Sequence, residues 1–159
     1  MAIPYRRAIL HSLSSILVLV AFLAGCSTTP LPPANLSAPG WTTQQGQALW
    51  KPSANRPQIA GDLLMATNTD GDCFIQFTKT PFTIATAQIS GSRWQLTFGN
   101  DQHSWRGSGT PMSRFVWFQL PRAMLGAPIN PDWRSHSDTN GWQFQNLHTG
   151  ESLEGEFFQ

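Results

Sequence analysis

Two cysteines carry the most reactive side chains in this 159-residue chain. Cys26 follows a basic head with two arginines and an apolar stretch from Ile16 to Ala24. Those nine residues fall short of the about 20 that a membrane-spanning helix needs, so they predict the core of a signal peptide over residues 1–25. A thiol directly after such a core is a candidate for covalent modification. If it is modified, Cys73 has no partner for an intramolecular disulfide, and we expect it to be a small buried side chain.

The tetrapeptide Leu23-Ala24-Gly25-Cys26 resembles the lipobox of bacterial lipoprotein signals. The resemblance implies that the Cys26 thiol is acylated, that cleavage exposes its amine, and that a further acyl chain gives an N-acyl diacylglycerol anchor. Two or more chains hold a protein stably on a membrane, at about 0.8 kcal/mol per buried methylene. Ser27 at the next position implies sorting to the outer membrane, facing the periplasm. The arginine pair Arg6-Arg7 also resembles the head of a twin-arginine signal, which leaves the export route open.

Charge is nearly balanced in the chain that follows the predicted signal. It holds eight Lys and Arg residues against nine Asp and Glu residues, a net charge of −1. So few charges provide no basic surface for nucleic acid and no Lys/Arg cluster for anionic headgroups. We therefore expect no nucleic acid partner, and we expect membrane attachment through the lipid on Cys26.

The histidines and serines show no catalytic or metal-binding pattern. None of His103, His136 and His148 stands four residues from another, and no cysteine pair supports them, so a zinc site is not expected. Ser108 lies between glycines in WRGSGTP, but the G-x-S-x-G order of a nucleophile elbow is missing. We predict a protein that is not an enzyme and needs no cofactor.

The carboxylates are explained by local structure. Glu154 and Glu156 share one face of a predicted strand, and with the nearby Glu151 they are typical of a solvated edge. Asp70 and Asp72 belong to a predicted turn, where aspartate is favoured for backbone reasons.

Alternating apolar and polar residues from Gly61 onward indicate antiparallel strands, and Asp70-Gly71 and Asn140-Gly141 are strong turn signals. We predict a mainly β fold with minor α structure: a curved antiparallel sheet or half-open barrel of about seven or eight strands with a short helical insertion. The strands are expected over Asp62–Thr67, Cys73–Lys79, Thr83–Ser90, Arg93–Phe98, Ser104–Gly107, Trp133–Asp138, Trp142–Leu147 and Ser152–Phe158.

The segment before this domain is predicted to be a tether over residues 26–40. Its Pro, Ser and Thr content cannot bury a core, and at about 3 Å per residue it would hold the domain about 35 Å from the membrane. The single β domain is expected over residues 41–159. At its start, a short helix is predicted over Thr43–Trp50, with Thr42 or Thr43 as its cap.

The helical insertion is expected near residues 111–125. Thr110-Pro111 predicts the start of this helix, because threonine caps a first turn and proline fits the first helical position. Aromatic residues and valine also favour strands, so a strand over Phe115–Leu120 is the alternative.

Inward-facing apolar residues of the sheet and the insertion have two interpretations. They form an ordinary packed core, or they line a cavity for an acyl chain in an incompletely filled barrel. The candidates are Ile75, Phe77, Trp94, Leu96, Phe98, Phe115, Phe118, Trp142 and Phe144.

Three stretches resemble those of a class of short bacterial envelope lipoproteins: LLMATNTDGDCFIQFTKTPFTIATAQ, GSGTPMSRFVWFQLP and TGESLEGEFF. The order of lipobox, spacer, hairpins, helical insertion and closing strands also resembles LolA/LolB-type lipoprotein carriers. That resemblance implies a half-open sheet covered by helices, with acyl chains held between them. The chain departs from the pattern at Gly40–Pro57, which offers at most two helical turns in place of a long amphipathic helix.

Two functions are consistent with these features. The first is an outer-membrane-anchored periplasmic lipoprotein that binds a lipid, an acyl chain or a lipoprotein, as a LolB-like carrier or acceptor. The second is a non-catalytic interaction or structural lipoprotein that docks another envelope protein through an aromatic patch. Trp41, Trp50 and Trp117 would anchor that patch, since tryptophan dominates interface hot spots.

Overall fold

The structure is a computed structural model that describes residues 29–99, 103–138 and 141–158. The predicted signal peptide, Cys26 and residues 139–140, where a turn is predicted, lie outside the described residues. Within those ranges no helix is long and apolar enough to cross a membrane. The elements are β1 (Trp41–Lys51), β2 (Ile59–Asn68), β3 (Cys73–Lys79), β4 (Phe82–Ser90), β5 (Arg93–Phe98), β6 (His103–Ser108), α1 (Val116–Met124), β7 (Trp133–Asp138), β8 (Gly141–Asn146) and β9 (Ser152–Phe157).

The strands form one antiparallel sheet in the order β6-β5-β4-β3-β2-β1-β9-β8-β7. The order has two ends, at β6 and β7, so the sheet is open. The predicted mainly β fold with a short helical insertion is confirmed. The sheet has nine strands, against the seven or eight predicted, because one strand comes from the segment before Gly61.

That additional strand is β1, and the helix predicted over Thr43–Trp50 is wrong. Gly46, Ala48 and Trp50 are buried at a spacing of two while the residues between them are exposed, which is strand periodicity. β1 also pairs on both sides, with β2 and with β9. This pairing satisfies the backbone of a polar segment whose glutamines would equally suit a helix.

The sheet is strongly curved around α1. Trp50 on β1 stacks on Phe98 of β5, with ring centroids 5.4 Å apart. A flat sheet would separate these two strands by about 19 Å, four spacings of 4.8 Å. Trp117 of α1 contacts Trp50 and Phe77, with ring centroids 5.3 and 5.5 Å away, so the helix fills the concave face between the strands.

The helix is shorter than predicted. It begins at Val116 after an extended Phe115, so the predicted start at Thr110-Pro111 is wrong, as is the alternative strand over 115–120. Gln119 is buried, and its side chain accepts a hydrogen bond from the Asn130 N–H (3.0 Å) and donates one to the Ser113 carbonyl (3.1 Å). One polar side chain therefore ties α1 to the loops on both of its sides.

The residues expected to form a free tether are bound to the sheet where they are described. We call residues 29–40 the N-terminal strap. Leu31 N–H donates to Gln95 Oε1 of β5 (3.0 Å), and Gln88 Nε2 of β4 donates to the Pro32 carbonyl (3.1 Å). Ala66 and Thr97, which alternate with inward-facing residues of β2 and β5, are also buried. These contacts therefore differ from the predicted spacer, which would extend freely from the membrane.

Trp117→Ala tests whether α1 holds the sheet together. Because Trp117 is completely buried against aromatic side chains of β1 and β3, we expect a loss of about 3–5 kcal/mol in the free energy of unfolding, measured by urea titration. Leu125→Ala is the control, since Leu125 follows the same helix but is 62% exposed. Equal, small effects of both substitutions would contradict the role assigned to α1.

Candidate functional site

The nine predicted apolar residues lie together in the interior. Phe98 and Phe115 are half-buried and in ring contact, with centroids 6.2 Å apart. Trp94 contacts Phe118 of α1 at 5.7 Å. The other side chains of the set are buried in the same cluster: Ile75, Phe77, Leu96, Trp142 and Phe144. The set therefore belongs to one packed core, in which Phe77 and Trp94 contact the aromatic residues of α1.

The predicted aromatic patch does not form on the surface. Trp50 and Trp117, two of its three expected anchors, are buried in the core, and Trp41 is half-buried. The prediction of this docking patch is therefore wrong, because Trp50 and Trp117 contact each other and Phe77 in the core.

A groove crosses the solvent face of the sheet at another place. It has a volume of about 840 Å³ and is formed by the ends of β2, β3, β7, β8 and β9 and by the middle of β1. Gln47 and Leu49 line it, and they alternate with the buried Ala48 and Trp50, so they point away from the core. Gln143 also lines the groove and points away from the core, because it lies between the buried Trp142 and Phe144. We call this site the carboxylate groove.

Its lining carries more negative than positive charge. Four carboxylates line the groove against one ammonium group, that of Lys79. The Glu154 carboxylate accepts a hydrogen bond from Gln143 Nε2 at 3.3 Å, and His136 Nε2 lies 3.5 Å from an Asp138 carboxylate oxygen. The remaining two carboxylates belong to Asp62 and Glu156. Such a groove favours a cationic ligand, since opposite charges set specificity and association rate at open sites.

Small residues also line the groove: Ala48, Ala60, Gly61 and Gly155. A Cβ on Gly155 would be 2.9 Å from the Trp142 ring, which covers that glycine. The Trp142 indole points into the core, and its buried N–H has no hydrogen-bond partner among the described residues.

A second, smaller cavity lies between α1 and the sheet, with a volume of about 320 Å³. Ile89, Phe118 and Ile129 form its apolar wall. The Arg122 guanidinium also borders it and donates two hydrogen bonds to the Pro128 carbonyl, at 2.8 and 3.1 Å. We call it the helix cavity. Of the predicted apolar residues, Phe118 borders this cavity and Trp142 borders the groove.

Glu151 departs from the predicted solvated edge. It is only 7% exposed, and its carboxylate accepts a hydrogen bond from Trp50 Nε1 at 3.0 Å. Burial raises the pKa of Glu151 to about 7, although the hydrogen bond from Trp50 lowers it. The carboxyl group therefore titrates near neutral pH inside the core.

Cys73 is buried, as predicted. Burial raises the pKa of its thiol to about 12, and the negative charge of Asp72 contributes to the increase. The thiol therefore stays protonated and unreactive at neutral pH. In the part of the chain that the structure describes, no group of three or more His, Cys, Asp or Glu side chains could hold a metal ion.

Sequence patterns miss the groove for an identifiable reason. They place Glu154 and Glu156 on one face, and both line the groove, but they favour a helix for Gln47 and Leu49. The site depends on β1 pairing with β9, and no local pattern reports that register.

Searches against protein-family models and against curated proteins find no match to this chain. The chemistry of the groove and of the helix cavity is therefore the basis on which a function can be proposed.

Glu151→Gln tests the buried carboxyl group. Its pKa is about 7 in the folded protein and about 4.5 in an unstructured peptide, so between these values the folded state binds more protons than the unfolded state. The contribution of Glu151 to the free energy of unfolding is fully present below pH 4.5. It is lost as the pH rises through 7, by on the order of 3 kcal/mol. We expect the variant to gain stability relative to the wild type as the pH increases from 5 to 8, measured by urea unfolding.

Glu156→Gln is the matched control, because Glu156 is exposed on the neighbouring strand. The difference in the free energy of unfolding between this variant and the wild type should be the same at pH 5 and at pH 8. If Glu151→Gln follows the same pH dependence as the wild type, folding does not raise the pKa of Glu151.

Proposed function

We propose that this protein is a lipid-anchored, non-catalytic docking protein of the bacterial outer membrane. In this proposal, Cys26 carries the lipid, and the carboxylate groove takes a cationic segment of another envelope protein. The observation that carries the proposal is the groove itself: about 840 Å³, open to solvent, and lined by four carboxylates against one ammonium group.

The nature of the lining favours a polypeptide over an acyl chain. An acyl chain in this groove would remove carboxylates from water without supplying a partner for them, which is costly. A segment with lysine or arginine side chains would pair with Glu154, Glu156 and Asp62.

The acyl-carrier function is a second candidate, and the helix cavity supports it. Its apolar wall lies between the helix and the sheet, as expected from the resemblance to LolA/LolB-type carriers. At about 320 Å³ the cavity is at the lower limit of ligand pockets and would take part of one chain. Lipid that copurifies with the wild type but not with Ile129→Trp, which fills the cavity, would favour this candidate.

Cys26→Ala tests the anchor. Without the thiol no diacylglycerol can be attached, so we expect the protein to move from the membrane fraction to the soluble periplasmic fraction. Cys73→Ala is the control, and it should stay with the membrane because Cys73 is buried in the core. A Cys26→Ala protein that remains in the membrane fraction would show that the lipobox interpretation is wrong.

Charge in the groove is tested with the soluble Cys26→Ala protein and a decapeptide of alternating Lys and Ser. We expect salt-dependent binding by fluorescence polarisation, and we expect Glu154→Gln/Glu156→Gln to weaken it about three- to tenfold, as removal of two exposed ion pairs should. Asp70→Asn/Asp132→Asn removes the same charge outside the groove and should have little effect. Equal weakening by both double variants, or no binding, would contradict the proposal.

A further inference from the structure

We propose that the N-terminal strap fixes the orientation of the domain on the membrane. The end of the sheet that carries the β2–β3 and β4–β5 turns would lie against the bilayer, and the carboxylate groove would point away from it. This inference rests on the proposed lipid anchor at Cys26, and it specifies the surface of the domain that contacts the bilayer.

The first support is the contact between the strap and the sheet. The Arg93 guanidinium, at the start of β5, donates to the carbonyls of Thr29 and Pro30. Leu31 N–H also donates to Gln95, and the Pro32 carbonyl accepts from Gln88, so four consecutive residues are bound to β4 and β5. The strap is half-buried at further positions as it continues to β1: Leu31, Ala34, Leu36 and Ala38. The strap is therefore bound to β4 and β5 at its first four residues and half-buried at intervals beyond them, which restricts its rotation.

The second support is the short chain between the strap and the anchor. Cys26 precedes Thr29 by three residues, which span at most about 10 Å when fully extended. The lipid on Cys26 must therefore enter the bilayer within about 10 Å of the strap's first contact with Arg93. A longer free spacer would allow the domain to tumble, whereas this length does not.

The third support is the arrangement of turns around Arg93. Arg93 pairs with Ser90 on one side and with Ser108 on the other, and Gly109 N–H donates to the Ser92 carbonyl at 2.7 Å. Gly91 N–H donates to an Asp72 carboxylate oxygen, also at 2.7 Å. The β2–β3 turn, the β4–β5 turn and the end of β6 therefore share one end of the sheet, next to the anchor.

Charge does not determine this contact. The same end carries Arg93, but also Asp70 and Asp72, so it has no excess of cations for anionic headgroups. The covalent lipid and the strap would hold the domain in place, and the orientation should be the same on neutral and on anionic vesicles.

The groove lies at the opposite end of the same strands. β4 begins at Phe82, beside the groove residue Thr80, and ends at Ser90 next to the turn at Ser92. Eight residue steps of about 3.3 Å put the two ends of β4 about 26 Å apart. In this orientation the groove faces the periplasm, where a protein partner can reach it.

Depth-dependent quenching tests the orientation. The lipidated protein is labelled with a fluorophore at Ser92→Cys or at Phe82→Cys, positions at the two ends of β4 that are both exposed. It is then reconstituted in phosphatidylcholine vesicles that carry a headgroup quencher. The buried Cys73 does not compete for the label. Because about 26 Å separates the two ends, we expect roughly threefold stronger quenching at Ser92 than at Phe82.

A variant that detaches the strap is the matched control. Gln88→Ala/Arg93→Ala/Gln95→Ala removes the three side chains that bind the strap, so the two labels should become equally quenched while the protein stays on the vesicles. Vesicle-bound wild-type protein with equal quenching at both labels overturns the orientation alone. Lipidated protein that does not associate with vesicles overturns the anchor, and the orientation with it.

Discussion

The fold depends on the insertion of one aromatic helix into the concave face of an open sheet. An open sheet of nine strands has an apolar inner face that must be covered, and α1 covers it with Val116, Trp117, Phe118 and Leu120, all completely or almost completely buried. The ring contacts from Trp117 and Phe118 reach β1, β3 and β5 around the curve. The sheet and the helix therefore stabilise each other, and neither would bury its apolar side chains alone.

Curvature of this degree needs places where the strands carry no side chain. Trp94 lies over Gly107 on the neighbouring strand, where a Cβ would be 2.5 Å from the indole ring, and Trp142 covers Gly155 in the same way. Each large ring replaces the side chain that the glycine lacks, which protects a backbone that would otherwise be exposed. Within the described residues, the N–H groups of both indoles are without acceptors, a cost that the burial of the rings offsets.

Sequence patterns predict most of the local structure and little of the site. Alternation and turn residues locate the hairpins from β2 to β5 and from β7 to β9, because these contacts join neighbours in the chain. β1 is missed because its glutamines suit a helix as well as a strand, and its partners decide between them. The strap has the composition of a flexible linker, and only the glutamines and the arginine of β4 and β5 show that it is bound. Glu151 is expected in solvent because its partner, Trp50, is about a hundred residues away.

The position of β1 also has a consequence for how the chain folds. β1 lies in the interior of the sheet and pairs with β9, so Trp50 and Leu153 meet from opposite ends of the domain. Pairing over so long a loop is slow, because the loop must close before its contacts form. The two halves of the sheet cannot join until the last strand is available. Closure of the sheet by β1 and β9 is therefore expected to follow the local hairpins, as the slow step of folding.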